Sequence, residues 1–193
     1  MTVFKAYDVR AIYPAPLNEM IAQRIGMGTA RLLMEESGKS GPIVVGYDMR
    51  PHSKSLVNSL KEGMKSAGAQ VIDVGLVDTP FVSFAVNHLD AIGGVQTTAS
   101  HNPINYNGFK ICRSHAKPVG KGLGLEQIES FVYSQETLKE LNGSENNIDL
   151  WGAYQQHVFK HLDSRFLSGD LKIKVAVDAS NGMAGTMVPK VFS

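Results

Sequence analysis

Thr97-Thr98-Ala99-Ser100-His101-Asn102-Pro103-Ile104-Asn105-Tyr106-Asn107-Gly108-Phe109-Lys110-Ile111 is the stretch on which the fold turns. An apolar run from Ala91 to Val95, with Gly93 and Gly94 inside it, leads in, and Phe109 to Cys112 leads out. Two such runs flanking a polar loop read as a buried strand, a turn and a returning strand. Ser100 stands where the first strand gives way. Pro103 fixes its own φ and biases Asn102 away from helix, which stiffens the exit. Loops at strand ends of a rigid α/β scaffold are where ligands meet catalytic side chains. The alternative is that Ser100 and Asn102 are only turn formers, bonding their own backbone.

Working outward, strands and helices alternate. Leu17 to Glu36 has helical spacing at Ile21, Ile25, Gly28 and Leu32, with Asn18 able to cap it and Gly38 and Gly41 to stop it. Pro42 to Gly46 is a buried strand, Tyr47 to Ser53 its loop, and Ser53 or Ser55 a cap for a helix striped by Leu56, Val57, Leu60 and Met64. Gln70 to Val74 is a further strand, and Pro80 suits the first position of a helix through His88. The alternation argues a three-layer α/β/α domain with a mixed, mostly parallel sheet, one strand being turned antiparallel at Ser100.

Beyond the returning strand, Ser114 to Gly124 reads as loop and Leu125 to Tyr133 as an amphipathic helix. The polar, Asn-rich residues 137–148 suggest a linker between a domain at 1–136 and a segment at 149–193. In that segment Asp149 caps a helix through Leu162, Leu171 to Val177 reads as a buried strand, and Asp178 to Gly185 as a turn ready to start a helix. One strand and one helix cannot bury their own apolar faces, so the expectation is a second, similar domain cut off near its start.

Composition narrows the function classes. The chain has 193 residues, 43% hydrophobic and 19% charged, so it should bury a core. A net charge of +1 gives no broad footprint for nucleic acid or an anionic membrane. Cys112 is the single cysteine, which excludes an intrachain disulfide and a Cys-based zinc cluster and fits a reducing, cytoplasmic setting. No apolar run approaches membrane-spanning length. Three motif likenesses fail. Gly38-Lys39-Ser40 lacks the earlier glycine of a P-loop and follows a helix, Gly120 to Gly124 lacks the dinucleotide fingerprint, and His157 and His161 lack the Glu of a zinc-protease helix.

Thr98 to Pro103 with Tyr106 to Lys110 resembles the phosphoserine loop of the α-D-phosphohexomutases, most closely their phosphomannomutase/phosphoglucomutase branch. Phe4 to Arg10, Gly46 to Arg50 and Val175 to Gly185 agree with the same family in order and spacing. The resemblance implies an isomerase that interconverts hexose 1-phosphates and 6-phosphates through a hexose 1,6-bisphosphate. Ser100 would carry the phosphoryl group, whose oxygen would meet a Mg²⁺ ion, and Lys110 would assist proton transfer near the reacting hydroxyl. His101, beside Ser100 in the motif, would count with the catalytic residues, shaping the loop and supporting the phosphate rather than acting as a base. Tyr7, Arg10, Asn102 and Asn107 would face the phosphosugar, Arg10 being suited to a dianionic phosphate. Without the resemblance, Lys110 reads as an ordinary strand lysine, and Arg10 as the partner of Asp8 or another carboxylate.

Departures from the family pattern matter too. Ala11 stands where the family has glycine, and Tyr47 and His52 where it often has arginine and serine. The family's aspartate metal loop, its sugar-reading loop and its terminal phosphate-binding domain have no counterpart before Ser193, so these residues alone are expected to be inactive. Two alternatives stay open: a non-catalytic remnant binding phosphosugar or a partner, and a phosphoglucosamine mutase.

Overall fold

A computed structural model describes residues 2–38, 41–134 and 142–192. Lys39 and Ser40, and the expected linker as far as residue 141, lie outside them. The chain divides into two compact units, Met1–Ile148 and Asp149–Ser193.

Strands β1 (Val9–Ile12), β2 (Pro42–Tyr47), β3 (Gln70–Leu76), β4 (Gly93–Thr97), β5 (Tyr106–Arg113) and β6 (Ser144–Asn147) form one sheet in the order β1-β5-β4-β2-β3-β6. Strands β4, β2, β3 and β6 run parallel, whereas β5 is antiparallel to both its neighbours. The reversal read at Ser100 is therefore confined to β5. Residues 144–147, expected in a linker, instead add the outer strand beside β3. Their polar composition hid this, because an edge strand takes its place by backbone bonds and, here, by Glu145 reaching Lys61 and Lys65.

Helices α1 (Glu19–Ser37), α2 (Ser53–Ser66), α3 (Thr79–His88) and α4 (Leu125–Tyr133) cover the sheet. Asn18 caps α1 by accepting the Ile21 N–H, and Gly38 ends it in the left-handed region at φ 65°. Asp78 caps α3 through the Phe81 N–H. Adjacent glycines report the layers. A Cβ at Gly93 would strike Leu33 of α1, and one at Gly94 would strike Val86 of α3, so these helices flank opposite faces. Ile43, Val45, Val95 and Phe109 join Leu33, Leu60 and Ile128 in the core beneath α1, α2 and α4. Helices α1 and α2 pack through Gly26 and Gly63. A Cβ on the first would lie 2.0 Å from the Leu60 carbonyl oxygen, and on the second 1.9 Å from that of Gln23.

In the second unit, α5 (Trp151–Phe159), α6 (Ser164–Leu167) and α7 (Ala184–Val191) are helical. Asp149 accepts the Trp151 N–H, Gln155 donates to the Val191 carbonyl at 3.1 Å, and Lys190 sits 4.4 Å from the Trp151 ring centre. Leu171 to Val177, expected as a buried strand, forms none. Ile173, Val175 and Val177 are 63, 64 and 53% exposed, since among the described residues no strand pairs with them.

Candidate active site

Parallel strands β2 and β4 end side by side, and their C-terminal loops meet. The Asp48 N–H donates to the Thr97 carbonyl at 3.0 Å, and the Thr98 N–H to the Gly108 carbonyl at 2.9 Å. Between them lies a buried polar network. Asp48 accepts the Thr98 hydroxyl at 2.6 Å, the Ser53 hydroxyl, and the Arg50 N–H at 3.1 Å. Asn107, fully buried, donates to the Ser53 hydroxyl at 2.9 Å and accepts the Gly108 N–H at 2.8 Å. Of the two serines expected to cap α2, Ser53 is buried in this network and Ser55 donates to Glu19 at 2.6 Å, so the helix start has no side-chain cap. Hydrogen bonds from Ser55 and then Tyr13 hold the Glu19 carboxyl below its ordinary value, although partial burial opposes them.

Ser100 rides above this network at φ 55°, a conformation uncommon for a residue with a Cβ. Its N–H donates to the Thr98 hydroxyl at 2.9 Å, while its own hydroxyl makes no hydrogen bond among the described residues and is solvent-exposed. Backbone held and side chain free is the arrangement a group-carrying serine requires. Asn102 folds back on the Ala99 carbonyl with both its N–H and its side-chain amide, each at 3.1 Å. His101 is exposed. Arg50 lies under the whole loop, its guanidinium donating to the carbonyls of Ser100 (2.8 Å), Asn102 (2.6 Å), Pro103 (2.7 Å) and Tyr106 (3.0 Å).

Of the other expected residues, Lys110 and Arg10 lie on the α3 side of the sheet, together with Asp8. Phe109 and Ile111 point into the α1 core, so Lys110 between them points away, as do Asp8 and Arg10 flanking Val9. These three form one cluster. Lys110 Nζ is 3.2 Å from Asp8 Oδ2, and Arg10 pairs with the same oxygen. Arg10 Nε is buried without a partner. Tyr7 is 84% exposed, in the segment whose Ala6 carbonyl accepts the Lys121 N–H. Ala11 pairs with Asn107 inside β1, in extended backbone that makes no demand for glycine. Thus β5 links the two groups, Asn107 serving the network beneath the loop and Lys110 the cluster on the opposite face.

The sequence assigns no site role to Asp48, Arg50 or Thr98, and to Ser53 only that of a possible helix cap. The available signal was a run of polar side chains, Asp48 to Ser53, at the end of a buried parallel strand. A groove of about 410 Å³ lies elsewhere, between Arg31 and Glu35 of α1 and Glu126 and Phe131 of α4. Among the described residues no three His, Cys, Asp or Glu side chains gather as a metal site, and no helix is long and apolar enough to cross a membrane.

Fold and site together define a mixed-sheet α/β/α domain that presents a serine on a tightly held loop at the ends of its parallel strands. Residues 1–139 match the family model described as phosphoglucomutase/phosphomannomutase, alpha/beta/alpha domain I. The chain belongs to that family. It is 39% identical over 189 residues to a Xanthomonas campestris protein named phosphohexose mutases, covering 97% of this chain and 40% of the relative. It is 38% identical over 194 residues to an Escherichia coli phosphomannomutase, covering 99% and 41% respectively. Among solved structures, a putative phosphomannomutase from Thermus thermophilus superposes with a TM-score of 0.76 at 32% identity, covering 88% of this chain and 38% of that one. A phosphoglucomutase/phosphomannomutase family protein from Burkholderia thailandensis gives a TM-score of 0.75 at 29% identity, covering 100% and 42%. The chain thus spans about two fifths of the length of these relatives.

Proposed function

We propose that this chain is the phosphoserine-bearing part of a phosphohexomutase that interconverts hexose 1-phosphates and 6-phosphates, with mannose and glucose phosphates as substrates. The observation that carries it is Ser100, whose peptide is fixed from below and whose hydroxyl is free and exposed. In this reading the phosphoryl group on Ser100 passes to a free hydroxyl of the sugar phosphate. The Oγ–P bond breaks, a sugar O–P bond forms, and the sugar hydroxyl's proton is relayed to Ser100 Oγ. Lys110, held at Asp8, is the group proposed to move that proton, and Arg10 beside it to receive a phosphate dianion. The hexose 1,6-bisphosphate then turns over and returns its other phosphoryl group to Ser100.

Tyr7, His101 and Asn102 complete the proposed contacts. Tyr7 and His101 are exposed, whereas the Asn102 side chain is turned onto the Ala99 carbonyl and would support the loop. Asn107 is fully buried under Ser53, so its part in substrate binding is at most indirect. Mg²⁺ belongs to the same reading, neutralising charge on the transferring group. Among the residues of this site a phosphorylated Ser100 would supply an oxygen to hold it, Asp8 and Asp48 being already paired with cations and hydroxyls. A cytoplasmic location fits a phosphosugar substrate and the free Cys112.

The test is peptide mass spectrometry of the full-length protein for phosphate on Ser100, with turnover of mannose, glucose and glucosamine 1-phosphates measured for the wild type and Ser100→Ala. Phosphate on Ser100 and loss of nearly all turnover in the variant are expected. Wild-type activity in Ser100→Ala would remove Ser100 from the mechanism, and preference for glucosamine 1-phosphate would replace the substrate assignment.

A further inference from the structure

The geometry points to Arg50 as the positioning residue of the Ser100 loop, holding it in the phosphoryl-accepting shape without touching substrate; this rests on the mutase reading. A guanidinium has five N–H donors; here four hydrogen-bond to carbonyls and the fifth faces a carboxylate. Nη1 serves the Pro103 and Tyr106 carbonyls, Nη2 those of Ser100 and Asn102, and Nε faces Asp48 Oδ2 at 3.3 Å. The side chain is only 12% exposed. Nothing remains to bind a sugar phosphate, which separates Arg50 from Arg10, whose Nε has no partner.

Its hold is also completed from the other side. Asp48, which fixes Arg50, accepts the Thr98 hydroxyl, and that hydroxyl accepts the Ser100 N–H. The peptide groups on either side of the Ser100 Cα are therefore fixed by the Asp48–Arg50 pair, one through Thr98 and one directly. That is how a non-glycine residue is kept at φ 55° while its hydroxyl stays free. A lysine could not substitute, because one ammonium cannot span four carbonyls disposed around a planar fork.

The experiment uses the full-length protein with Arg50→Lys and Arg50→Ala. Readouts are kcat and KM for a hexose 1-phosphate, and amide exchange of Ser100, Asn102 and Tyr106, whose N–H groups are bonded inside the loop. Misplacement of a reacting group by about 1 Å costs on the order of 100-fold, so kcat should fall by about that factor in both variants with KM within about twofold. The three amides should exchange faster while those of β2 and β4 stay protected, which shows that the fold is intact. Added guanidinium should restore part of kcat to Arg50→Ala but not to Arg50→Lys. If Arg50→Ala does not fold, Arg50→Lys carries the same readouts. Unchanged kcat and loop exchange would overturn the assignment, as would a raised KM with kcat preserved. A wild type with neither turnover nor phosphate on Ser100 would instead remove the mutase reading, and loop exchange would still decide whether Arg50 holds the loop.

Discussion

Lys110 Nζ lies 3.2 Å from Asp8 Oδ2, and Arg10 is paired with that same oxygen. One nearly buried carboxylate, its side chain 6% exposed, therefore stands between two cations on neighbouring strands. Replacing Asp8 with Asn removes the charge and leaves Arg10 and Lys110 facing each other. Both partners reach solvent, so the stability cost should be modest, about 1–3 kcal/mol. Turnover should suffer more, because the group proposed to move the proton loses its anchor. Urea unfolding and kcat of Asp8→Asn check this, and a variant with wild-type values of both would show that the pairing matters to neither.

Much of the fold was legible because it rests on local signals. Asn18 and Gly38 bound α1 by capping chemistry, and the short apolar run Pro42 to Gly46 before a polar loop read as a buried strand, which extends one residue further to Tyr47. What escaped depended on partners distant in sequence. Ser144 to Asn147 carries no apolar pattern and becomes a strand through the edge of β3, while Ser53 has the chemistry of a cap but is drawn under the loop by Asp48 and Asn107. The serine stretch announced itself through its motif. The residues beneath it did not, since Arg50 and Ser100 are joined only by the tertiary fold.

Lys61 and Asp73 form a buried pair at 2.6 Å, each side chain 9% exposed, and Glu145 joins at 2.7 Å. Removing the cation alone, by Lys61→Met, strands Asp73 and should cost about 3–5 kcal/mol. Replacing Lys61 and Asp73 together by Met and Leu should recover most of it. Burial works against the Lys61 charge, but hydrogen bonds and charges from Asp73 and Glu145 outweigh it and raise its pKa. Burial also opposes the Glu145 charge, and Lys61 and Lys65 outweigh it and lower its pKa. The Lys61 contribution is thus whole below the unfolded value of about 10.4 and fades as pH rises through the folded value. That of Glu145 is whole above about 4.3 and fades as pH falls through its folded value. Unfolding of wild type and Lys61→Met across pH should show the two curves converging at both extremes, and a constant gap would contradict it.

Cys112 Sγ faces the Gly94 carbonyl at 3.5 Å, and burial pushes its thiol up to about 11 despite that bond. Only the thiolate reacts, so native protein near neutral pH should react with a thiol reagent far more slowly than protein in urea. Stoichiometric labelling of the native state at the free-cysteine rate would show that the site opens.

Gly63 allows α2 to lie against α1, and a methyl group there would sit 1.9 Å from the Gln23 carbonyl oxygen. Backbone cannot rotate aside as a side chain does, so Gly63→Ala must push the helices apart. Overpacking of this kind costs about 1–3 kcal/mol or somewhat more, against a small gain in helix propensity. A lowered urea midpoint with unchanged slope is expected, and a stabilised variant would mean that the helices separate freely.

Asp48 accepts from Thr98, Ser53 and the Arg50 backbone while pairing with the Arg50 guanidinium, so every group facing it is a donor or a cation. Asn at this position would keep the shape but turn one oxygen into an NH₂ that meets donors. Leaving buried groups so opposed costs about 1–3 kcal/mol for a neutral mismatch and more where the arginine loses its counter-charge. The damage should not stay local, because Thr98 and Arg50 both hold Ser100. Asp48→Asn is therefore expected to lower phosphate occupancy of Ser100 as well as the unfolding midpoint, whereas Ser53→Ala, which removes only one of the donors, should lower the midpoint less and leave occupancy near wild type. Equal loss of occupancy in the two variants would place the control of the loop in the Ser53–Asn107 side of the network rather than in Thr98 and Arg50.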